Sequence, residues 1–251
     1  MSDAATHGSL TGLRSCVRPG NRAGGVSQCS RCGARKASVC NAIGDPDLDR
    51  LAASVVHMTV PPGCSFIEDG AEATDFFNIT SGTAKLFKLL PDGRRQITGF
   101  ATAGHFLGLA VGDHYAFGAE AIDTVHLCRF SRPRMTRLMD DFPRLERRLL
   151  EEASNELVVA QNQMLLLGRK TARERVATFL LERLRNAEED DVLVLPMTRT
   201  DIADYLGLTI ETVSRTLSAL RKEGLIADAG SHNLRLLDAD RLADIAEGDR
   251  D

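Results

Sequence analysis

The hydrophobic pattern of this chain changes once, near Pro133, and that change constrains the fold more than any other feature. Over residues 55–130, short apolar runs are separated by turn residues about every ten positions, which is typical of an antiparallel sandwich or roll. Asp92-Gly93, between the runs 84–90 and 95–100, is the strongest hairpin signal. After Pro133 the apolar residues recur at helical spacing. The sequence therefore predicts an α+β fold that begins with an antiparallel β-roll.

A long helix is predicted after the β-roll, and its apolar residues form a narrow seam. They alternate at spacings of three and four, like the a and d positions of a coiled coil: Leu150, Ala153, Leu157, Ala160, Met164 and Leu167. The flanking residues are polar almost all round, which favours a partner helix over packing against the chain's own sheet. Because two of the six seam residues are alanines, and a buried Leu→Ala change removes about 2 to 5 kcal/mol, we expect a marginal dimer.

Two short helices joined by a tight turn are predicted near the C-terminus. Thr198 and Asp201 form a capping-box-like helix start. Gly207 supplies the left-handed residue at which this helix ends, and Thr209 caps a second helix that Gly224 closes. The second helix has an apolar face for the core and a polar face that begins in its first turn. This is the pattern of a helix-turn-helix that reads the major groove of DNA.

The polar face of the second helix carries side chains that can read bases. Arg215 can bond guanine O6 and N7, Glu211 can accept from cytosine N4, and Ser214 can contact a neighbouring base. The alternative is an ordinary ion pair between Glu211 and Arg215, which lie four residues apart. The caps, the turn and a basic stretch over 169–185 favour DNA reading. We predict DNA contacts from six residues: Thr209, Glu211, Thr212, Ser214, Arg215 and Lys222.

The chain has six cysteines, four of them in the segment 4–44, which contains no acidic residue. Three of these four are closely spaced. They follow the pattern Cys29-x2-Cys32-x7-Cys40, and Cys128 comes after the last β-run. Since the N-terminus has no apolar signal region, we expect thiols in a reducing compartment, the cytoplasm. A pair spaced by two residues can hold a metal centre. Spacing alone leaves open a structural zinc site, an iron-sulfur cluster and a disulfide switch.

The charge around the cysteines favours an anionic centre. A 4Fe-4S core with four thiolates carries about two negative charges in its usual oxidised form, which Arg31, Arg35 and Lys36 would offset with no acid nearby. Cys16 and Cys64 have no matching role and are interpreted as spectators. Lone histidines that could ligate haem are interpreted as ordinary surface or core residues: His57, His105, His114 and His126.

The helix-turn-helix resembles the recognition segment of the Crp/Fnr superfamily of transcription regulators, and of its Fnr/FixK branch in particular. Residues 195–215 carry the resemblance and read Leu-Pro-Met-Thr-Arg-Thr-Asp-Ile-Ala-Asp-Tyr-Leu-Gly-Leu-Thr-Ile-Glu-Thr-Val-Ser-Arg. The similarity covers nearly the whole chain and implies a β-roll of the cyclic-nucleotide-binding type, a dimerisation helix and a winged helix. The Glu-x-x-Ser-Arg arrangement at 211–215 implies a TTGAT-type half-site repeated as a palindrome, with RNA polymerase as a further partner.

The resemblance also chooses among the alternatives for the cysteines. Fnr-like oxygen sensors carry an N-terminal trio of cysteines and a fourth at the end of the β-roll, places that Cys29, Cys32, Cys40 and Cys128 occupy. The x7 spacing resembles the alphaproteobacterial variants. The resemblance therefore implies a 4Fe-4S cluster. No cyclic nucleotide is expected, because the family's Arg-Ser pair for the cyclic phosphate is replaced by residues 115–119, which offer no cation.

Four segments are expected. Residues 1–44 form the cysteine-containing N-terminal segment, 45–132 the β-roll sensor domain, 133–168 the dimerisation helix and 169–251 the winged helix-turn-helix DNA-binding domain. An acidic run over 188–191 marks a linker, and residues after Asp238 are expected to form a polar, frayed helix.

The function expected from these features is that of a cytoplasmic, homodimeric, oxygen-responsive transcription activator whose 4Fe-4S cluster controls dimerisation and DNA binding. The alternative is a cluster-independent FixK-like regulator with zinc-bound or vestigial cysteines. An enzyme is not expected, since no convergent acid and base groups suggest a substrate pocket. A membrane partner is not expected either, since no run of about 18 apolar residues occurs.

Overall fold

The computed structural model describes residues 18–19, 26–109, 112–185 and 191–248, with side chains from residue 28 onward. The described strands, in chain order, are β1 (Arg18–Pro19), β2 (Val56–Val60), β3 (Ser65–Ile67), β4 (Asp75–Ser81), β5 (Ala84–Leu89), β6 (Arg95–Ala101), β7 (Phe106–Leu107), β8 (Gly118–Ala121), β9 (Val125–Ser131), β10 (Val192–Val194), β11 (Ile226–Asp228) and β12 (Asn233–Leu236). The described α-helices are α1 (Val26–Ser30), α2 (Leu48–Ser54), α3 (Arg132–Asp141), α4 (Pro143–Arg169), α5 (Ala172–Leu184), α6 (Arg199–Leu206), α7 (Ile210–Lys222) and α8 (Ala239–Glu247). The α+β fold is confirmed.

The chain forms two compact units. The described residues of Met1–Ala84 and Ala101–Arg148 make the first unit, and those of Lys85–Phe100 and Leu149–Asp251 make the second. The division differs from the expected segments mainly at the β5–β6 hairpin, which groups with the C-terminal helices instead of with the β-roll. The acidic run predicted as a linker falls largely outside the described residues.

The first unit is built on an antiparallel sheet of five strands in the order β1-β2-β9-β4-β7. β3 pairs separately with β8, also antiparallel. Alternate residues of the central strands fill the core, and Ile79, Leu127 and Phe130 are almost fully buried. The predicted β-roll is therefore confirmed. The predicted hairpin turn at Asp92-Gly93 also forms, between β5 and β6.

The cysteine-bearing segment lies against the first unit as a series of short turns. Three 3-10 turns, Arg35–Ala37, Val39–Ala42 and Asp45–Asp47, join α1 to α2. Gly104 has φ +97°, and a Cβ there would lie 2.9 Å from the Cβ of Ala37. A side chain at Gly104 would therefore displace the turn that precedes Cys40.

The predicted long helix is divided at Phe142 into α3 and the 27-residue α4. Phe142 leaves the helical conformation, with φ −130° and ψ 83°, because the residue before a proline is disfavoured in the α region. Pro143 then starts α4, where its missing N–H has no consequence. No helix in the described residues is long and apolar enough to cross a membrane.

The second unit contains the predicted winged helix-turn-helix. α6 and α7 lie in the chain between β10 and β11, and the wing is completed as an antiparallel sheet in the order β10-β12-β11. The expectation of a frayed polar helix after Asp238 is wrong, because Leu242, Ile245 and Ala246 are buried on one face of α8, which contacts α5. The apolar residues of α8 follow a helical spacing that its many charged residues obscured.

Candidate metal centre and nucleic-acid interface

The four cysteines predicted as metal ligands line one cavity of about 370 Å³ in the first unit. Cys29 lies in α1, Cys32 follows it in a turn, Cys40 lies in the 3-10 turn Val39–Ala42, and Cys128 lies on β9. The structure therefore brings together residues that are far apart in sequence. None of the five cysteines among the described residues, including Cys64, is in a disulfide, and Cys16 lies outside that range.

Local hydrogen bonds set the shape of the cysteine segment. Ser38 is fully buried, and its hydroxyl accepts a bond from the Cys40 amide at 3.3 Å while donating to Arg35 O at 3.2 Å. The Cys32 amide donates to Cys29 O at 3.4 Å. The Cys32 bond closes the turn of the x2 interval, and the two Ser38 bonds close the turn that leads to Cys40 within the x7 interval. Sequence reasoning missed the role of Ser38, although serine is a common residue at the start of such turns.

The protein environment disfavours thiolates at this cavity in the absence of a cation. Burial raises the pKa of Cys29, raises that of Cys40 to about 11, and raises that of Cys128 above its usual value. Because metal ligands must be thiolates, a metal centre here would release protons as it binds.

Cations also line the cavity, as the sequence suggested. Arg31 and Arg35 both contribute to the lining, whereas Lys36 is exposed and lies outside it. Arg35 Nη1 lies 2.6 Å from Asp45 Oδ1, and Arg35 Nη2 donates to Ile43 O at 2.7 Å. The expectation that no acid lies nearby is therefore wrong at Asp45, which follows directly after the acid-free segment and neutralises part of the charge of Arg35.

Two polar residues that sequence reasoning did not assign to the metal site also line the cavity. His57 Nδ1 lies 3.4 Å from Cys128 Sγ, and burial lowers the pKa of His57. Asn78 is 1% exposed, and neither of its amide atoms has a hydrogen-bond partner among the described residues. The signal that could have found it is an amide side chain inside the apolar run 76–79.

The cavity is wider than a site for one ion. Within the described residues, no group of three or more His, Cys, Asp or Glu side chains converges on a position that would hold a single metal ion. Four thiolates around one zinc would each lie about 2.3 Å from it. The thiols here instead line, together with other residues, a cavity of about 370 Å³.

The helix-turn-helix has the local structure that its sequence predicts. The Thr198 hydroxyl accepts from the Asp201 amide at 3.1 Å, which forms half of the capping box at the start of α6. Gly207 adopts φ 61° at the end of α6. Thr209 caps α7 by accepting from the Thr212 amide at 3.2 Å. Val213, Leu217 and Leu220 are buried, so the opposite face of α7 is the one that meets solvent.

The residues predicted to contact DNA lie on or next to α7. Glu211, Arg215 and Lys222 are exposed, and Glu211 and Arg215 form no ion pair with each other in the part of the chain that is described. Ser214 is half-buried, and its hydroxyl accepts from Arg199 Nη1 at 3.3 Å. The hydroxyls of Thr209 and Thr212 lie 3.1 Å apart. The sequence did not indicate the contact between Arg199 and Ser214, because this contact depends on the angle at which α6 and α7 cross.

A buried polar cluster, not foreseen from the sequence, joins the β5–β6 hairpin to α6 within the second unit. Lys85 Nζ lies 3.0 Å from Asp201 Oδ1, and these side chains are 10% and 6% exposed. Arg95 lies 3.5 Å from both Asp201 and Asp204, and Gln96 Nε2 donates to Asp204 O at 2.6 Å. Burial alone raises the pKa of Asp201, but hydrogen bonds from Thr198 and Lys85 outweigh it, so the pKa lies below its usual value.

The predicted seam on α4 is largely uncovered by the rest of its unit. Leu150 is 69% exposed, Leu157 59% and Met164 69%. Ala153 and Ala160 are exposed as well, whereas Leu167 is half-buried. Val158 and Leu165 are 55% and 57% exposed, so the apolar surface is wider than the seam. These side chains form an apolar strip along one long helix.

Two domain families match this chain. The cyclic nucleotide-binding domain matches residues 57–142, which cover most of the β-roll and α3. The Crp-like helix-turn-helix domain matches residues 174–245, from α5 to α8.

The chain is similar to transcription regulators along most of its length. The transcriptional activatory protein AadR of Rhodopseudomonas palustris is 41% identical over 221 residues, 86% of this chain and 92% of AadR. The nitrogen fixation regulation protein FixK of Bradyrhizobium diazoefficiens is 41% identical over 222 residues, 87% of this chain and 93% of FixK. The transcriptional activator FnrL of Cereibacter sphaeroides is 34% identical over 234 residues, 90% of this chain and 94% of FnrL.

A solved structure supports the same relationship. FixK2 from Bradyrhizobium japonicum superposes with a TM-score of 0.72 at 37% identity, covering 76% of this chain and 96% of FixK2. On these similarities the chain belongs to the Crp/Fnr family, whose members are DNA-binding transcription regulators and not enzymes, as the sequence predicted.

Proposed function

We propose that this protein is an oxygen-responsive transcription activator in which Cys29, Cys32, Cys40 and Cys128 hold a 4Fe-4S cluster. The observation that carries the proposal is that these four thiols, brought from α1, two turns and β9, line a single cavity. Bound there, the cluster would supply an oxygen-labile centre within the regulator.

The size and the donors of the cavity favour a cluster over zinc. Its volume of about 370 Å³ leaves room for a group of atoms between the thiols. All four proposed ligands are soft sulfur donors, and Arg31 and Arg35 in the lining favour a centre with net negative charge. His57 Nε2 and both amide atoms of Asn78 have no hydrogen-bond partner among the described residues and are available to such a centre.

Dimerisation through α4 is the proposed response element. The exposed strip of Leu150, Ala153, Leu157, Ala160 and Met164, continued by half-buried Leu167, suits a second copy of the same helix. Two alanines keep this contact weak. Shifting a two-state equilibrium from 1:99 to 99:1 takes about 5.5 kcal/mol of differential binding, which four metal–thiolate bonds can supply.

The proposed target is a TTGAT-type palindrome, bound by the two copies of α7 in a homodimer. Glu211, Ser214 and Arg215 read bases, Thr209 and Thr212 contact DNA at the start of the helix, and Lys222 contacts phosphate. RNA polymerase is the proposed partner at the promoter. The protein works in the cytoplasm without a cyclic nucleotide or a membrane partner.

Metal analysis of protein purified without air tests the proposal. We expect about four iron and four sulfide ions per chain, with a visible absorption band that bleaches in air. Serine at position 29, 32, 40 or 128 should abolish the band. Cys64→Ser is the matched control, because Cys64 is a half-buried thiol outside the cavity lining. Cluster retention in Cys128→Ser, or loss in Cys64→Ser, would contradict the ligand assignment.

The second candidate is a cluster-independent regulator with zinc-bound or vestigial cysteines. It is favoured by the greater identity to FixK, 41%, than to FnrL, 34%. Stoichiometric zinc without sulfide, or anaerobic protein free of metal that still binds DNA fully, would establish this candidate instead.

A further inference from the structure

Three side chains form a row across the central strands of the five-stranded sheet. Cys128 on β9 pairs in register with His57 on β2 and with Asn78 on β4. Directly paired residues on neighbouring antiparallel strands point to the same face of a sheet. All three side chains line the cavity that the cysteines surround. The proposed ligand Cys128 is therefore flanked on both sides by a polar residue.

Three polar atoms of this row lack hydrogen-bond partners among the described residues: Nε2 of His57 and both amide atoms of Asn78. Six buried side-chain nitrogen or oxygen atoms among the described residues have no hydrogen-bond partner, and four of them belong to Arg35, His57 and Asn78. The other two are guanidinium nitrogens of Arg132 and Arg183, whose side chains lie over phenylalanine rings. Unpaired polar groups in a protein interior are unfavourable, so their concentration at one cavity indicates a ligand that accepts or donates hydrogen bonds there.

We propose that Asn78 and His57 are positioning residues that donate hydrogen bonds to the sulfur atoms of the metal centre. Asn78 donates from Nδ2 to a sulfur inside the cavity, and His57 donates from Nδ1 to the Cys128 sulfur, from which it lies 3.4 Å. This inference rests on the proposed cluster. The sheet then supplies one ligand, Cys128, and also the hydrogen bonds that adjust the reduction potential of the centre.

The physical consequence follows from the negative charge on the sulfurs. Hydrogen bonds to the sulfurs stabilise the electron-rich state of an iron-sulfur centre and so raise its reduction potential. Groups that support metal ligands in this way typically change affinity or activity about 10- to 100-fold when they are removed. Loss of the Asn78 donor should therefore leave a cluster that assembles but is less durable in air.

The test compares Asn78→Leu and Asn78→Asp with Thr80→Val in anaerobically purified protein of equal iron and sulfide content. Asn78→Leu removes the amide at similar volume, and Asn78→Asp replaces the donor nitrogen with oxygen. Thr80 is the matched control, because it lies on the same strand and lines the same cavity, but its hydroxyl already donates to His126 O at 3.0 Å.

We expect both Asn78 variants to bleach in air about 10-fold faster than the parent protein and to have a lower reduction potential, with Thr80→Val unchanged. His57→Leu should shift the potential in the same direction, and His57→Asn, which keeps an N–H near the position of Nδ1, should restore it. Parent values in both Asn78 variants, or an equal shift in Thr80→Val, would overturn the proposal.

Thermal unfolding of the metal-free protein gives a readout that needs no cluster. If the Asn78 amide is kept for a ligand, Asn78→Leu should leave the metal-free protein at least as stable as the parent, because no hydrogen bond is lost. A clear destabilisation of the metal-free variant would mean that Asn78 serves the fold, and the inference would fail. Failure of the proposed function is separately visible, since the parent protein itself would then contain no iron and sulfide.

Discussion

The two units of this regulator bury polar side chains in opposite ways. In the cysteine cavity of the first unit, His57 and Asn78 carry buried polar atoms without partners. In the hairpin cluster of the second unit, Lys85 and Asp201 are also buried but are bonded to each other, and Thr198 and Arg95 complete the set around Asp201. The same chain thus contains one polar interior that is satisfied internally and another that is not.

The difference indicates which buried groups serve the fold and which serve a ligand. A buried charge is tolerated when it is paired and hydrogen-bonded, as at Lys85 and Asp201. A buried polar atom that persists without a partner is a candidate contact for something that binds. Substitutions in the hairpin cluster should therefore change stability with or without a cluster, whereas those in the cavity should change the cluster.

Lys85→Met should produce the largest loss of stability. It keeps the length of the side chain but leaves Asp201 without its closest cation, and breaking a buried ion pair from one side typically costs about 3 to 5 kcal/mol. Denaturant unfolding of metal-free protein measures the change. Arg94→Met is the matched control in the same hairpin, because the Arg94–Asp92 pair is exposed and should contribute less than about 1 kcal/mol. Equal losses of unfolding free energy in the two variants would contradict the proposed difference between the two units.

Ala160→Asp tests whether the exposed apolar strip on α4 also serves a partner outside its own chain. If the strip on α4 meets a second copy, two carboxylates would face each other in the interface, and an unpaired buried charge typically costs about 3 to 5 kcal/mol. Sedimentation of cluster-loaded protein should then show monomer. Glu151→Asp, an exposed change beside the strip, should remain dimeric. A dimeric Ala160→Asp that binds DNA normally would show that α4 is not the dimer contact.

Arg215→Ala tests an exposed charge that forms no ion pair with any of the described residues. Because its role is proposed to lie with DNA, its loss should leave stability unchanged and weaken binding by roughly 1 to 3 kcal/mol per half-site. Binding should weaken at a TTGAT palindrome but not at a palindrome in which the guanine is changed. Lys222→Ala should instead weaken all sequences alike and reduce the salt dependence by about one unit. An equal effect of Arg215→Ala on matched and mismatched sites would remove support for the half-site.

The smallest expected effect is a loss of stability at acid pH, caused by protonation of Asp201. Its folded pKa is lowered, so the stability it contributes is complete above the unfolded pKa of about 3.9 and is lost as the pH falls through the folded pKa. Unfolding measured between pH 3 and pH 7 should therefore show a loss near the acid end. In Lys85→Met this loss should be smaller, because one cause of the lowered pKa is gone. An equal loss of stability at acid pH in the parent and in Lys85→Met would show that Lys85 does not lower the pKa of Asp201.

Local signals explain why the helix-turn-helix was predicted accurately. Thr198, Gly207 and Thr209 act on amides within their own turn, so the bounds of α6 and α7 follow from neighbouring residues. The same reasoning was wrong at α8, where a buried face of Leu242 and Ile245 is hidden among charged residues. The helix break at Phe142 was not predicted, although the proline that follows this residue disfavours the α region there.

The sequence by itself determined the order of the β-roll, the long helix and the winged helix-turn-helix, and it identified the exposed face of α7 and the set of four cysteines. Those features depend on periodicity, caps and residue types that neighbours in the chain decide. Only the tertiary structure decided that β2, β9 and β4 place His57, Cys128 and Asn78 in one row, and that Lys85 meets Asp201. Pairings between residues so far apart depend on strand register and on the packing of whole elements, which no local pattern specifies.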